Sequence, residues 1–551
     1  MDRFTSPQEP RPTRLIVIGY GPVAARLVEG LLPSVRNGHL GVTVVGAESD
    51  DAYNRVLLAE YAAGRADRAR LDVTDTARAE AIGVVVRLGE AVVTVDRIRQ
   101  QVTLDSGDIL GYDRLVFATG ARANVPSLVG LERSRRDRRS RARRAEHLDS
   151  GSAALPGGVV ALRDLRDAEQ VRAAVLAGKR IIVLGAGVLG MEIALAATEA
   201  GAAVVAVFHG DIPMARQLDA GGGRALRRAA HDSGVTMAPH SRAESIQFRL
   251  DADGREHFDA LVCADGKVIT GDLLLLSCGV GARMEVAMDA GLEVASGILV
   301  DEELRSWTDP DIFAIGDCAQ VAVLGSMQPD GRVPGAPSGL IGPGWRQADW
   351  LAARLSAESA PASVIAGTID LTPPPGGLSA ERPVVVMLKA DGIDLVAGGD
   401  ITADPWDETR SCETTVWADP ARGQYVKMVT TDGVLDGFVS VGLPRAGAEL
   451  TLMFERRSEL PADRTAMLRL DAPDAGAAST SDPHDPDATV CWCNGVAVHQ
   501  ITSAISTGAD SVEAIGACTR AGTGCGTCKG RISELLARTA VGAPGSAAGS
   551  R

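Results

Sequence analysis

An α/β chain with two Rossmann-like dinucleotide-binding domains is the fold class this sequence predicts. Three observations lead there. Residues 14–32 (RLIVIGYGPVAARLVEGLL) and 180–208 (RIIVLGAGVLGMEIALAATEAGAAVVAVF) each read as a buried strand, a glycine turn and a helix. Two further strand-like segments, 112–122 and 307–319, end in the small-residue loops Ala118-Thr119-Gly120 and Gly316-Asp317. With 551 residues the chain has room for three or four domains, each with its own core.

In the first unit residues 14–18 make the strand, Gly19, Gly21 and Ala24 form a GxGxxA turn, and residues 25–32 begin the helix. Glycines there permit a tight turn and close approach of a pyrophosphate, whose charge lies among the unpaired N–H groups of the helix N-terminus. A second strand, 42–45, is followed by Glu48, placed to accept from a ribose 2'-hydroxyl. The second unit is a complete GxGxxG: Gly185, Gly187 and Gly190 lie between a strand at 181–184 and a helix to about residue 200. Two units predict two dinucleotides, of which the usual pair is a flavin and a nicotinamide. A carboxylate just after a strand-end glycine, as at Asp317, reaches the ribityl hydroxyls of a flavin; the plainer reading is a turn aspartate. Beyond the second fingerprint the next strand ends in Phe208-His209-Gly210-Asp211. An acid there favours NAD and an arginine NADP. His209 decides neither, and a packed core histidine is an equal reading.

A net charge of -15 argues against nucleic acid as partner, since phosphate binding needs a basic field. No apolar run approaches the roughly 20 residues that span a bilayer, so no membrane association is expected. The polar opening MDRFTSPQEPRPTR reads as no signal peptide, and a cytoplasmic protein is expected. Close cysteine pairs there point to metal or redox chemistry more than to disulfides.

Together these motifs resemble the two-dinucleotide-binding flavoprotein reductases of the pyridine nucleotide-disulphide oxidoreductase superfamily. The resemblance implies a split FAD domain, 14–131 and 271–358, with an NAD(P)H domain, 155–270, inserted. It places Gly19, Gly21, Ala24, Glu48, Arg55, Thr119, Gly120, Gly316 and Asp317 at FAD, and Gly185, Gly187, Gly190, His209 and Gly279 at NAD(P)H. The reactive CxxxxC of the thiol-reducing members is missing, because no cysteine precedes Cys263. In its region stands Tyr53-Asn54-Arg55-Val56-Leu57-Leu58. This resembles the YNRV-L segment of assimilatory nitrite and nitrate reductase flavoproteins and the flavin-facing loop of rubredoxin reductases. Arg55 and Tyr53 are the catalytic candidates, Arg55 by stabilising negative charge on the reduced ring; the alternative is a surface loop arginine.

Residues 132–154 hold eight arginines and read as a solvated loop, with a docking patch for an acidic partner as the sharper alternative. Residues 365–458 read as a small α+β domain of short strands. Its Asp419-Pro-x-Arg-Gly-x-Tyr-x-Lys427 core resembles the reductase C-terminal module of nitrite and nitrate reductase flavoproteins, which implies a dimer or partner interface. The Ala/Asp/Pro/Ser-rich stretch 464–488 reads as a flexible linker.

Within 489–540, four of the nine cysteines form Cys491-x-Cys493, then 31 residues, then Cys525-x-x-Cys528. Four thiolates suit a 2Fe-2S cluster or a tetrahedral zinc. Val498, Ile501 and Ile505 share one face of a first helix ended by Gly508; Asp510 and Glu513 suggest a capping box for a second, terminated by residues 522–524. Cys525 and Cys528 open a third, and Cys518 reads as core. The spacing and the G-T-G-C-G-x-C ending resemble the bacterioferritin-associated ferredoxin-like module, a small helical 2Fe-2S domain.

The expected activity is electron transfer from NAD(P)H through FAD and the cluster to a nitrate or nitrite reductase catalytic subunit or another acceptor protein, with a homodimer as a possible assembly. With no further cysteine cluster for sirohaem, the chain is not expected to reduce nitrite itself. The rivals are a ferredoxin- or rubredoxin-type reductase or an opine or amine dehydrogenase subunit, and, in another class, a zinc-stabilised redox-sensing or binding protein.

Overall fold

The computed structural model describes residues 11–131, 155–250, 254–360, 377–378, 385–388, 390–406, 411–471, 486, 488–491, 494, 496–523 and 528–541. The Arg-rich stretch 132–154, most of the acidic linker, Cys493 and Cys525 lie outside them.

The first domain is built on a parallel sheet in the order Ile312–Ala314, Arg114–Phe117, Thr13–Ile18, Leu40–Gly46, Val85–Leu88. From the central strand Thr13–Ile18 the chain crosses to Leu40–Gly46 on one side and returns to Arg114–Phe117 on the other. The loops at the carboxyl ends of these strands therefore part at Gly19 and Ala118, a topological switch point where α/β sheets bind ligands. Helix Pro22–Arg36 begins three residues before the expected start at 25 and passes through Pro33. Pro22 sits at the first helical position, where a missing N–H removes no helical bond. The helix buries Leu27, Val28 and Leu31 in a core shared with helix Ile341–Ser359.

The inserted domain has its own parallel sheet, in the order Thr236–Ala238, Ala203–Val207, Arg180–Leu184, Leu273–Leu276, Val159–Val160. This corrects the expected boundary at 271. Leu273–Leu276 is buried along its whole length and lies inside the inserted sheet, so the chain returns to the first domain only after residue 276. Continuous apolar strands of this kind belong inside a parallel sheet covered on both faces, and Leu273–Leu276 lies there between Arg180–Leu184 and Val159–Val160. At the other crossing Leu128 and Leu131 already pack with Ile246 and Phe258 of the insertion. The two connections are tied by the antiparallel pair Ala121–Ala123 and Val280–Ala282.

The third domain is an antiparallel sheet, Val385–Met387, Leu395–Gly399, Val434–Val441, Gln424–Thr431, Glu413–Asp419, with helix Pro444–Arg456 packed on it. Its folded part extends past 458, and the segment from 464 is not linker throughout. Helix Thr465–Arg469 buries Met467 in the domain core. The Asp471 carboxylate accepts from the Arg445 and Ala446 N–H groups at 3.1 and 2.8 Å, capping the uncapped start of Pro444–Arg456.

The Asp419–Lys427 motif proves to be a docking device. Asp419 accepts from the Ala421 and Arg422 N–H groups, and Gly423 takes the left-handed φ of +67° that closes the turn. Tyr425 then lies against Gly221, where a Cβ would stand 2.3 Å from its ring. Its hydroxyl donates to Asp219 Oδ2 at 2.5 Å, at the start of helix Ala220–Asp232 of the inserted domain. Lys427, buried beneath, donates to the Ile401 carbonyl at 2.7 Å. Tyr425→Phe is expected to cost about 1.5–3 kcal/mol, the range for a hydrogen bond to a charged group. Urea denaturation followed by tryptophan fluorescence measures it.

Candidate functional site

The loops at the switch point open into one cavity of about 1990 Å3. Ordinary ligand pockets hold roughly 300–1,000 Å3. Every residue expected at the flavin lines it, while Tyr53 stands behind the wall, 2 % exposed. Gly19 has φ +102°, and a Cβ on it would lie 2.4 Å from the Ala118 carbonyl oxygen. The second fingerprint repeats this: Gly185 has φ +111° with a Cβ position 2.2 Å from Ser277 O, and Gly190 would place one 2.1 Å from Gly185 O. Both following helices start at a glycine, Gly21 and Gly187, with no side-chain cap. Their first N–H groups are thus left for an anion, the cradle a dinucleotide pyrophosphate requires.

Charge around the cavity is arranged as a chain of pairs. Arg55 Nη2 donates to Glu48 Oε1 at 2.5 Å, the Tyr53 hydroxyl to Glu48 Oε2 at 2.8 Å, and Arg55 Nη1 to the Arg163 carbonyl at 2.9 Å. The guanidinium lies 4.7 Å from the centroid of the Tyr53 ring. Burial pushes the Glu48 carboxyl up, but Arg55, the Tyr53 hydroxyl and Arg283 more than offset it and hold it below the usual range. Arg163 Nη2 donates to Asp317 Oδ2 at 2.8 Å. Arg283, with its guanidinium pushed down by burial despite Glu48, completes a wall of three cations with Arg55 and Arg163. Such a wall suits phosphate and an electron-rich reduced ring. Arg163 and Arg283 carry no motif, and only the folded chain brings them here.

On the nicotinamide side Val188, Leu189 and Glu192 reach the cavity wall. His209 is exposed just beyond strand Ala203–Val207, so the core-histidine reading falls. Asp211 beside it faces Arg227 and His240, each at 3.4 Å, and Arg224 at 3.8 Å. Gly279, φ +84°, sits in the link between the domains, its carbonyl accepting from the Asn124 N–H at 2.9 Å.

Two of the four cysteines are among the described residues, and the fold brings them together. Cys491 ends strand Thr489–Cys491, paired with Val496–Ala497, a hairpin absent from the all-helical expectation. Cys528 precedes helix Lys529–Val541. Both are buried and both line the cavity rim. A hydrogen bond with Cys528 pushes the Cys491 thiol down to about 6 against burial, helped by the Gly522 and Asn494 N–H groups and the Asn494 side chain. Donors aimed at a thiolate also suit a metal-bound sulfur. Among the described residues no three His, Cys, Asp or Glu side chains gather at one point. Helix Val498–Ser506 ends as expected before Gly508, at φ +109°. The second helix, Val512–Thr519, is capped by Ser511 rather than Asp510, and it ends at Arg520 in the left-handed region, before the glycines. Cys518 is exposed on it, not core.

Residues 13–337, more than half of the chain, match the family model described as pyridine nucleotide-disulphide oxidoreductase. The chain belongs to that family. Residues 489–538 match the BFD-like 2Fe-2S binding domain. The chain is 27 % identical over 528 residues to the nitrite reductase (NAD(P)H) of Bacillus subtilis (strain 168), covering 96 % of this chain and 58 % of that protein. It is 26 % identical to the assimilatory nitrate reductase electron transfer subunit of the same organism, covering 95 % and 59 %. It thus spans about three fifths of the length of these relatives. The putidaredoxin reductase–putidaredoxin complex shares the fold, with a TM-score of 0.63, 21 % identity, and 83 % of this chain and 95 % of that chain covered.

Membership makes the chain an NAD(P)H-dependent FAD oxidoreductase, with a 2Fe-2S cluster for its last domain. The uncapped glycine cradles and the paired thiols fit those groups. No described helix is long and apolar enough to cross a membrane. Gly19→Ala forces a Cβ onto Ala118 O, and the variant is expected to purify without flavin, seen as loss of visible absorbance. For Glu48 the depressed folded pKa means its stabilisation is present above the ordinary carboxyl pKa and is lost as pH falls through the folded value. Between about pH 5 and about pH 3 the melting temperature should therefore fall less steeply in Glu48→Gln than in the unaltered protein.

Proposed function

We propose that this chain is the reductase, electron-transfer part of an assimilatory nitrate or nitrite reductase. The observation that carries the reading is the convergence of Cys491 and Cys528 on the rim of the cavity that holds the first fingerprint. The likeness to the nitrite reductase and to the nitrate reductase electron transfer subunit over nearly the whole chain supports the choice of acceptor. When bound, FAD would supply hydride acceptance from NAD(P)H and one-electron release to a 2Fe-2S cluster.

The chain's own residues do the rest. Gly19, Gly21 and the following helix N-terminus would hold the FAD pyrophosphate, Asp317 the ribityl chain and Glu48 the ribose. Arg55, held by Glu48 and stacked on Tyr53, contributes positive potential to the ring's surroundings. Gly185, Gly187 and Gly190 seat NAD(P)H, with His209 at the adenosine end. Cys491, Cys493, Cys525 and Cys528 would ligate a 2Fe-2S cluster, which would supply one-electron transfer toward a nitrate- or nitrite-reducing partner.

Purified protein should contain about two iron and two acid-labile sulfide per chain, with a flavin spectrum bleached by NAD(P)H. One zinc and no iron sinks the proposal. Cys528→Ser should still bleach with NAD(P)H but pass no electrons to the nitrate- or nitrite-reducing partner. Equal loss of both activities makes the cysteine domain structural.

A further inference from the structure

Among the described residues, Arg26, Glu29, Asn494 and Arg520 link the last domain to the first through side chains that close on one another. Arg26 lies on helix Pro22–Arg36, five residues after Gly21. Its guanidinium is fixed from two sides: Nε and Nη2 fork onto the Asp349 carboxylate at 2.7 and 2.5 Å, and the plane sits 5.1 Å from the centroid of the Trp345 ring. The remaining nitrogen, Nη1, donates to Asn494 Oδ1 at 2.7 Å. Asn494 Nδ2 donates in turn to the Arg520 carbonyl at 2.8 Å and stands 3.6 Å from Cys491 Sγ. Arg520 Nη2 returns to the first domain, donating to Glu29 Oε2 at 2.7 Å. Residues three apart on a helix share a face, so Arg26 and Glu29 present one cation and one anion side by side. Asn494 and Arg520, 26 residues apart in sequence, meet them as a matching pair.

We propose that Arg26 and Glu29 form an intramolecular docking site for the cysteine domain, and that Arg26 is a positioning residue acting through Asn494 on the sulfur of Cys491. The proposal deepens the electron-transfer reading above and rests on it for its redox consequence. Asp349 and Trp345 hold Arg26 before the cysteine domain arrives, so docking orders little beyond Asn494 and Arg520. Each electron that reaches the cluster adds one negative charge beside Cys491. A cation hydrogen-bonded to Asn494 favours that added charge and so raises the cluster's potential. Exposed ion pairs are individually weak and screened by salt. Such a contact holds the domain in place without trapping it.

The test uses the full-length protein with its flavin and cluster, as wild type, Arg26→Gln, Glu29→Arg and the exchange Glu29→Arg/Arg520→Glu. Three quantities are followed after mixing with NADH: flavin bleaching, the electron paramagnetic resonance signal of the reduced cluster, and the cluster midpoint potential. Amide hydrogen exchange over residues 496–523 is measured without NADH. Flavin bleaching is expected to be unchanged in all variants. Appearance of the cluster signal should slow by about tenfold in Arg26→Gln and in Glu29→Arg, the rate equivalent of one charge-assisted hydrogen bond. It should recover in the exchange variant. The potential should move to more negative values in Arg26→Gln, and exchange over 496–523 should rise in both single variants. Wild-type cluster reduction, potential and hydrogen exchange in both single variants overturns the docking site. Faster hydrogen exchange in the variants of a protein whose cluster NADH never reduces supports the docking site and overturns the electron route.

Discussion

Both dinucleotide sites depend on backbone approaching backbone where a side chain cannot stand. At Gly19 and Gly185 the turn that leaves the central strand passes so close to its neighbour that a Cβ would lie 2.4 and 2.2 Å from a carbonyl oxygen. That contact sets the first helix of each unit, with its free N–H groups, directly over the switch point of its sheet. Each sheet can then be fully buried and parallel, because its helices cover it and its loops are gathered at one end. The cavity and its wall of arginines follow from that gathering.

The first, inserted and third domains share one buried apolar cluster, which includes Leu57, Val183 and Val439, and polar contacts add ties at a few points. Arg65 pairs with Glu60, with Glu199 of the inserted domain at 2.7 Å and with Asp391 of the third domain at 2.9 Å. Tyr425 and Asp219 make a second tie, and Arg26 with Asn494 a third. The cysteine domain has its own core around Ile501, Ile515 and Ile532 and touches its neighbour through polar side chains.

Much of the fold was legible before any coordinates. Strand, glycine turn and helix repeat a pattern whose spacing is dictated by the pyrophosphate cradle, so residues 14–32 and 180–208 were readable directly. The misplaced boundaries share one cause. Leu273–Leu276 is a run of leucine that fits either parallel sheet, and only pairing with Arg180–Leu184 assigns it. Met467 and Asp471 look like linker because one apolar residue and one acid give no periodic pattern; what they do depends on a core and a helix start far away in sequence. In the cysteine domain Asp510 and Ser511 are adjacent capping residues, and the backbone selected the second.

By itself the sequence determined the chemistry the chain can hold: two glycine fingerprints, the strand-end Asp317 and two close cysteine pairs, all short motifs whose meaning is local. Tertiary structure decided which charges meet those motifs. Arg163 on Asp317, Arg283 in the cavity wall and Arg26 on Asn494 join residues far apart in sequence, whereas Arg55 and Glu48 are seven residues apart. A charged side chain's partner is set by distance in space, and in a chain with few aromatic residues and many charges no local pattern marks it. The four-thiol motif at the end of the chain could have stood apart from everything upstream. Its Cys491 and Cys528 instead lie on the rim of the cavity lined by Gly19, because the opposite charges of one helix face match two side chains beside them.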